Sequence, residues 1–254
     1  MDHVVICIKW GAAFGPGDVN MLFRACHEHS PSPLRFICLT DNAEGLADGI
    51  ETWPIPDIGL SPEEWSRPGV WRKLSLFSPD LITLGRVLFL DLDMMIVGDL
   101  SPFFEPIQGV VFQNMGDSWR PEPQSGARET GSCVFSYDPG SEQKVLHAFL
   151  ADKETAMTHW HNEQDFVGAH VSKASYWPDH LVVSFKRHLC YRNGAGLFFK
   201  PVPPPGTASI VAFHGTPRPR ETMEKLVWGP LPHFHFGKPP WVAKYFHQFR
   251  DGPH

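Results

Sequence analysis

Positive charge is in short supply in this 254-residue chain. Lys and Arg number 22 against 28 Asp and Glu, for a net charge of −6 and a pI near 6.1. That balance argues against a nucleic-acid backbone as the main partner. No apolar run approaches the roughly 20 residues that a membrane-spanning helix needs. Cysteine is sparse, with five residues (Cys7, Cys26, Cys38, Cys133, Cys190) and no C-x-x-C spacing. Such a dispersed, odd set reads as reduced core thiols in a cytosolic protein, not as a disulfide framework or a zinc site. The N-terminal MDHVVICIKWG carries an acid at position 2 and reads as a first strand, not a signal peptide. Internal repeats and low-complexity tracts are absent as well.

The 42% hydrophobic and 20% charged residues are enough to fill a sizeable core. Short apolar runs end in polar or Gly-containing clusters. They are VVICI before Lys9-Trp10-Gly11, RFICLT before Asp41-Asn42, VLFL before Asp91, VVFQ before Asn114, CVFSY before Asp138 and SIVAF before His214-Gly215. Uninterrupted runs of this kind suit strands buried on both faces. Helical stretches lie between them. GDVNMLFRACHEH has Asp18 as its expected N-cap and Val19, Leu22, Phe23 and Cys26 on one stripe. GVWRKLSLF is a second, and SEQKVLHAFLADKET opens on Ser141 and Glu142. The expectation is an α/β fold with a mostly parallel sheet, whose ligands bind outside the carboxyl ends of the strands. Asp91, Asn114, Asp138 and His214 are all expected there.

The stretch RVLFLDLDMMIVGDLSPFF sets two carboxylates, Asp91 and Asp93, directly after a hydrophobic strand. Unpaired buried charge is costly, so a partner of opposite sign is expected. With His214 at the tip of a later strand, the pair supplies part of an octahedral shell that phosphate oxygens and water would complete. Imidazole beside carboxylates favours Mn²⁺, with Mg²⁺ as the alternative. Gly215, Arg218 and Arg220 then offer close backbone approach and positive charge suited to a diphosphate.

FLDLDMMIVGDLSPFF with a late FHGTPRP resembles the metal-binding segments of GT-A-fold glycosyltransferases, in particular the glycogenin-like and lipopolysaccharide-galactosyltransferase group. VVICIKWG matches that group's first nucleotide-binding strand and RFICLTDNAEGL its second. VWRKLSLF falls in the helix before the D-x-D, and HNEQDFVG aligns with a D-Q-D segment. The chain departs from the pattern in having Glu163 for the first acid of D-Q-D, Arg218 for a lysine, and no tryptophan after Pro219. The resemblance implies one GT-A-like domain over 1–254. Its nucleotide-binding half, 1–99, ends in the D-x-D, an acceptor and donor-sugar half spans 100–220, and 221–254 form a C-terminal extension.

It also implies a metal-dependent transfer, with retention of configuration, from a nucleotide-diphosphate sugar, UDP-linked by expectation, to a glycan or lipid-linked acceptor. Asp91, Asp93 and His214 would hold the metal. Trp10, Gly11, Asp41, Arg72, Lys73, Leu92, Gly215 and Arg218 would contact the donor, with Trp10 stacking on the base. Gln164 and Asp165 would line the sugar pocket and carry catalysis, unless Asn162, Glu163 and Asp165 merely cap a helix. Gly131 and Ser132 would border the acceptor pocket. A haloacid-dehalogenase-type Mg²⁺ phosphatase is the rival enzyme, but Met95 stands where that group has threonine. A non-catalytic nucleotide-sugar-binding protein is the other alternative. KPVPPPG (200–206) reads as a linker. The tail GPLPHFHFGKPPWVAKYFHQFR reads as an extended segment packed over the domain, with an acceptor-side lid or peripheral membrane contact as its alternatives.

Overall fold

Every residue from Val4 to Ile8 is buried, and the run forms the first strand, β1 (His3–Lys9), at the middle of a sheet. The computed structural model describes residues 3–116, 119, 128–191, 194–229 and 234–250. The elements run α1 (Pro16–Glu28), β2 (Leu34–Thr40), β3 (Ile50–Trp53), α2 (Pro62–Trp65), β4 (Val87–Leu90), β5 (Met94–Ile96), β6 (Val110–Asn114) and β7 (Thr130–Tyr137). They continue with α3 (Gln143–Ala151), α4 (Lys153–His159), α5 (Glu163–His170), β8 (Ala174–Tyr176), β9 (Val182–Ser184) and β10 (Ile210–Ala212). α6 (Pro219–Glu224), the hairpin β11 (Val227–Trp228) and β12 (His235–Phe236), and α7 (Pro240–Phe249) complete the chain.

Seven strands make one sheet in the order β3-β2-β1-β4-β7-β6-β8. Six run one way and β7 alone runs against them, so the expected mostly parallel sheet is present. A small sheet, β5-β10-β9, stands beside it. Side chains alternate between two cores, as strand geometry requires. Val5, Cys7, Cys38, Leu88 and Leu90 face α1, α7 and the small sheet. Val4, Ile6, Ile8, Ile37 and Phe89 face the 3₁₀ segment Trp71–Phe77, α3 and α5. All five cysteines are free thiols, four of them buried.

Local chemistry refines several expectations. α1 starts one turn earlier than Asp18 suggested, with Gly15 as N-cap and Pro16 as its first residue. Asp18 sits in the first turn, and its Oδ2 accepts the Gly15 N–H at 2.8 Å. The stripe keeps Val19, Leu22 and Cys26 buried, while Phe23 is half-buried and edge-on to Phe36. The expected helix through 141–155 is two helices, because Asp152 leaves helical geometry and caps α4 through the Thr155 N–H at 3.0 Å. The tail is not extended. Beyond the β11–β12 hairpin it becomes α7, which buries Val242, Tyr245, Phe246 and Phe249 against the domain. Residues 230–233 of it lie outside the described residues. Among the described residues no helix is long and apolar enough to cross a membrane.

Candidate functional site

Because β1, β2, β4 and β6 are parallel, their carboxyl ends share one edge. There Trp10-Gly11, Asp41 and Asp91 follow their strands, and Asn114 is the last residue of β6. Asp138 is the exception. It follows β7, which runs antiparallel, so it lies at the opposite edge and its Oδ1 accepts the Gly140 N–H. The same reversal brings the beginning of β7 to the site edge, where the Asp91 N–H donates to the Cys133 carbonyl at 2.9 Å. Gly131 is required at that approach, since a Cβ there would stand 2.9 Å from the Gln113 carbonyl oxygen and 2.8 Å from Met115 Cγ.

A cavity of about 400 Å³ opens at this edge. Its walls include Trp10, Lys73, Asp91, Leu92, Asp93, Gln164, His214, Gly215 and Arg218 among the expected site residues. Gly11, Asp41, Arg72 and Asp165 do not line it. Three of those four adjoin it as one corner. The Gly11 N–H donates to Asp41 Oδ2 at 3.3 Å, and the Arg72 guanidinium lies 3.8 Å from the same carboxylate oxygen. Arg72 also stands 4.1 Å over the Trp65 ring and 6.0 Å from Trp10. The Asp165 backbone N–H donates to Asn162 Oδ1 at 2.9 Å, the capping geometry. Its neighbour Glu163 faces the cavity.

Much of this depends on how the chain enters the Trp71–Phe77 segment. Gly69 and Val70 both take positive φ, 108° and 58°, which is unusual for a β-branched residue. A Cβ at Gly69 would lie 2.6 Å from the Trp71 indole nitrogen, so the close turn needs glycine. The turn buries Trp71 and directs Lys73 inward, leaving that side chain 6% exposed.

Lys73 answers the carboxylates. Its Nζ is 2.8 Å from Asp91 Oδ2 and 3.5 Å from Glu163 Oε1. Glu163 Oε1 in turn accepts from Ser132 Oγ at 2.6 Å, and Gln164 Oε1 accepts the Ser132 N–H at 3.1 Å. Burial works against the Lys73 charge, yet Asp91 and Glu163 together outweigh it and hold the ammonium well above the ordinary lysine range. Burial raises both carboxyls and Lys73 opposes that rise. Asp93 makes no ion pair with any described residue. Burial, with the Asp91 charge added, pushes it up to about 7.

His214 lies on the far wall. Its Nε2 is 2.7 Å from Ser184 Oγ, and its ring lies 4.9 Å from that of Trp119. Burial, together with Lys186, Arg187 and His188, pushes the imidazole down to about 3, so it is neutral at ordinary pH. Neutral imidazole and two carboxylates form a donor set suited to a hard divalent ion. Among the described residues, however, no three His, Cys, Asp or Glu side chains are gathered to hold one. Asp91 is engaged by Lys73 and His214 by Ser184.

Sequence reasoning had not placed Phe14, Val70, Met115 or Cys133 on the cavity wall, and nothing in their local pattern marks them. Glu163 did carry a signal, as the residue standing where the resembling segment has its first acid. Arg218 holds its place by donating to the Ala13 carbonyl at 2.8 Å and lying 4.6 Å over Phe14.

No protein-family model matches the chain, and no curated protein matches it. Solved structures do. The galactosyltransferase LgtC, solved in complex with donor and acceptor sugar analogs, is similar over 85% of this chain and 88% of its own, with TM-score 0.57 and 12% identity. The glycosyltransferase GlyE of Streptococcus pneumoniae TIGR4 is similar over 97% of this chain and 60% of its own, with TM-score 0.57 and 14% identity. The bifunctional glycosyltransferase WbbM matches over 97% of this chain and 51% of its own, at TM-score 0.53 and 10% identity. The expected architecture is thus borne out as a fold: the chain adopts the α/β fold of these glycosyltransferases, with the carboxylate pair at its strand edge.

Proposed function

We propose that this protein is a glycosyltransferase that takes a sugar from a nucleotide-diphosphate donor, UDP-linked by preference, and passes it to a glycan or lipid-linked acceptor. The observation that carries the proposal is the cavity itself. In a fold shared with glycosyltransferases, it gathers Asp91, Asp93, Lys73, Glu163, Gln164, His214 and Arg218 at the carboxyl edge of the sheet. The fold alone would not suffice, because one fold hosts many chemistries.

In this reading Trp10, Gly11, Asp41 and Arg72 receive the nucleoside. Arg218 and the Gly215 backbone receive the diphosphate. Ser132, Glu163 and Gln164 surround the sugar, with Lys73 holding Glu163 and Asp91 in place. Asp93, the free oxygen of Asp91 and His214 would hold a divalent cation only once drawn together from the positions they occupy here, with His214 released from Ser184; such a cation would supply stabilisation of negative charge on the diphosphate. Arg218 adds a charge-assisted contact to the same oxygens. The neutral His214 imidazole suits ligation or hydrogen bonding, not charge neutralisation. Retention of configuration is part of the proposal and rests on the resemblance of the motifs.

Calorimetric titration of UDP with and without Mn²⁺, followed by a panel of nucleotide sugars assayed for slow hydrolysis, tests this. Mn²⁺-dependent UDP binding and turnover of at least one sugar nucleotide are expected. Binding without turnover of any donor would favour the non-catalytic sugar-nucleotide reading. No binding at all would defeat both.

A further inference from the structure

One half-buried cation beside the cavity has no partner among the described residues. Lys186 makes neither a hydrogen bond nor an ion pair with any of them, whereas Lys73 on the same cavity balances Asp91 and Glu163. Taking an ammonium partly out of water without a counter-charge costs free energy, so such a group is suited to an anion that arrives from outside.

Strand pairing puts Lys186 where it is. β9 lies parallel to β10 with Ser184 beside Ala212. One residue on, the Phe185 ring stacks on that of Phe213 at 4.0 Å. Lys186 therefore comes level with His214 and Gly215. Here the chain makes a single π-helical turn, Phe185–Leu189, which Ser184 caps by accepting the Arg187 N–H at 3.2 Å. Turns of this rare kind are frequent at functional sites. Phe185 and Leu189 are buried and anchor the turn, which holds Lys186 against the loop after β10. Its Nζ lies 3.6 Å from the point that a Cβ at Gly215 would occupy. Gly215 has φ of 74°, a conformation that favours glycine, and its missing side chain leaves the ammonium against the backbone of a residue that lines the cavity.

Further donors meet it there. The Gly215 and Thr216 N–H groups make no hydrogen bond with a described residue. Arg218 lines the cavity three residues on. Both cations lie within electrostatic reach of Asp93 and neither forms an ion pair with it. Burial and the Arg187 charge lower Lys186 from the ordinary lysine range, and Asp93 opposes them. Burial raises Asp93, and Arg218 is among the charges that oppose that rise. Two cations and two unused N–H groups around Gly215 suit an anion whose oxygens lie on two linked centres, which is what a diphosphate presents. We propose that Lys186 is a diphosphate-binding residue of this cavity, acting with Arg218 and the Gly215-Thr216 backbone.

The seat is built from charges that the chain itself carries. A divalent cation would add to it, not create it. Identifying the anion with the diphosphate of a sugar donor rests on the proposed transfer reaction, but the seat does not, so the two readings fail separately.

Isothermal titration of the full chain with inorganic pyrophosphate, in EDTA and at low salt, reads the seat without base, sugar or metal. Saturable binding is expected, weakening as salt rises. Lys186→Met should weaken it about tenfold or more and flatten the salt dependence. Its melting temperature should be equal or higher, since no partner is lost. Lys186→Arg should stay within about threefold of the wild type, because the charge is kept. Lys244→Met removes an exposed lysine of α7 and should change nothing. No pyrophosphate binding by the wild type, equal affinity in Lys186→Met, or an equal loss in Lys244→Met would overturn the inference. Pyrophosphate binding that depends on Lys186, with no turnover of any sugar nucleotide, would uphold the seat and defeat only the transfer.

Discussion

Lys73 carries more of the site's electrostatics than any other single residue. It is buried and balances Asp91 and Glu163 at once. Lys73→Met would leave two carboxylates without their cation, at a cost of about 3 kcal/mol in denaturant unfolding near neutral pH. Because both carboxyls can take up protons, that loss should shrink toward pH 4; a loss independent of pH would mean that packing, not charge, is Lys73's contribution. Asp93 behaves in the opposite way. Its folded-state value of about 7 lies above that of an unfolded aspartate, so the native state holds the proton more tightly. Stability is therefore unaffected below the unfolded value, falls as pH rises through the interval to about 7, and stays reduced above it. Asp93→Asn should remove that fall and raise unfolding free energy at pH 8 by on the order of 1 kcal/mol, allowing for its partial exposure. Equal melting curves for wild type and variant from pH 4 to pH 8 would contradict the assignment. A pair of substitutions separates capping from chemistry in HNEQDFVG. Glu163→Gln, in the cavity, should depress turnover by about tenfold or more. Asp165→Asn, outside it, should leave turnover intact and stability within about 0.5 kcal/mol. The reverse pattern would restore Asp165 to the sugar pocket.

At the level of elements, α7 is tied to the small sheet by one polar contact. The Ile96 N–H of β5 donates to the Tyr245 hydroxyl at 3.1 Å in a buried setting. Tyr245→Phe strands that donor and should cost about 1–3 kcal/mol in chemical denaturation. A negligible change would show that water reaches Ile96. Elements with strong local signals were legible in the sequence. β1, β2 and β4 are uninterrupted apolar runs, and Asn162 caps α5 as its side chain dictates. Elements shaped by distant partners were not. The segment over Trp71–Phe77 has a helical pattern, but its entry through Gly69 and Val70 and the inward pull on Lys73 wind it as 3₁₀. α3 and α4 read as one helix because Asp152 resembles any solvated acid until its cap is seen. The C-terminal prolines suggested extension, yet Pro240 simply begins α7, a position where its missing N–H costs nothing.

Across the whole molecule, the strand edge that holds the site followed from the sequence, because parallel strands bring their carboxyl ends together. The direction of β7 did not follow. An apolar run has no polarity, and only its pairing with β4 and β6 reverses it, which removes Asp138 from the site and brings in Ser132 and Cys133. His214 was legible as a strand tip, but its hydrogen bond to Ser184 depends on the parallel pairing of β9 with β10. The route of the chain at Asp91-Leu92-Asp93 has one more effect. β4, just before it, belongs to the large sheet, and β5, just after it, belongs to the small one. The small sheet forms only when Ile96 meets Ile210, a contact between segments far apart in the chain, beside the nearer pairing of Ile210 with Val182. Such distant pairings close late during folding and reopen early in native-state fluctuations. The two aspartates therefore sit on a seam between the large sheet and a flap that must be recruited from the distal half. A nascent chain released before residue 210 would lack the Phe213 N–H that the Asp93 carbonyl accepts at 3.1 Å, so the cavity wall that holds Asp93 closes only after the distal half has been made.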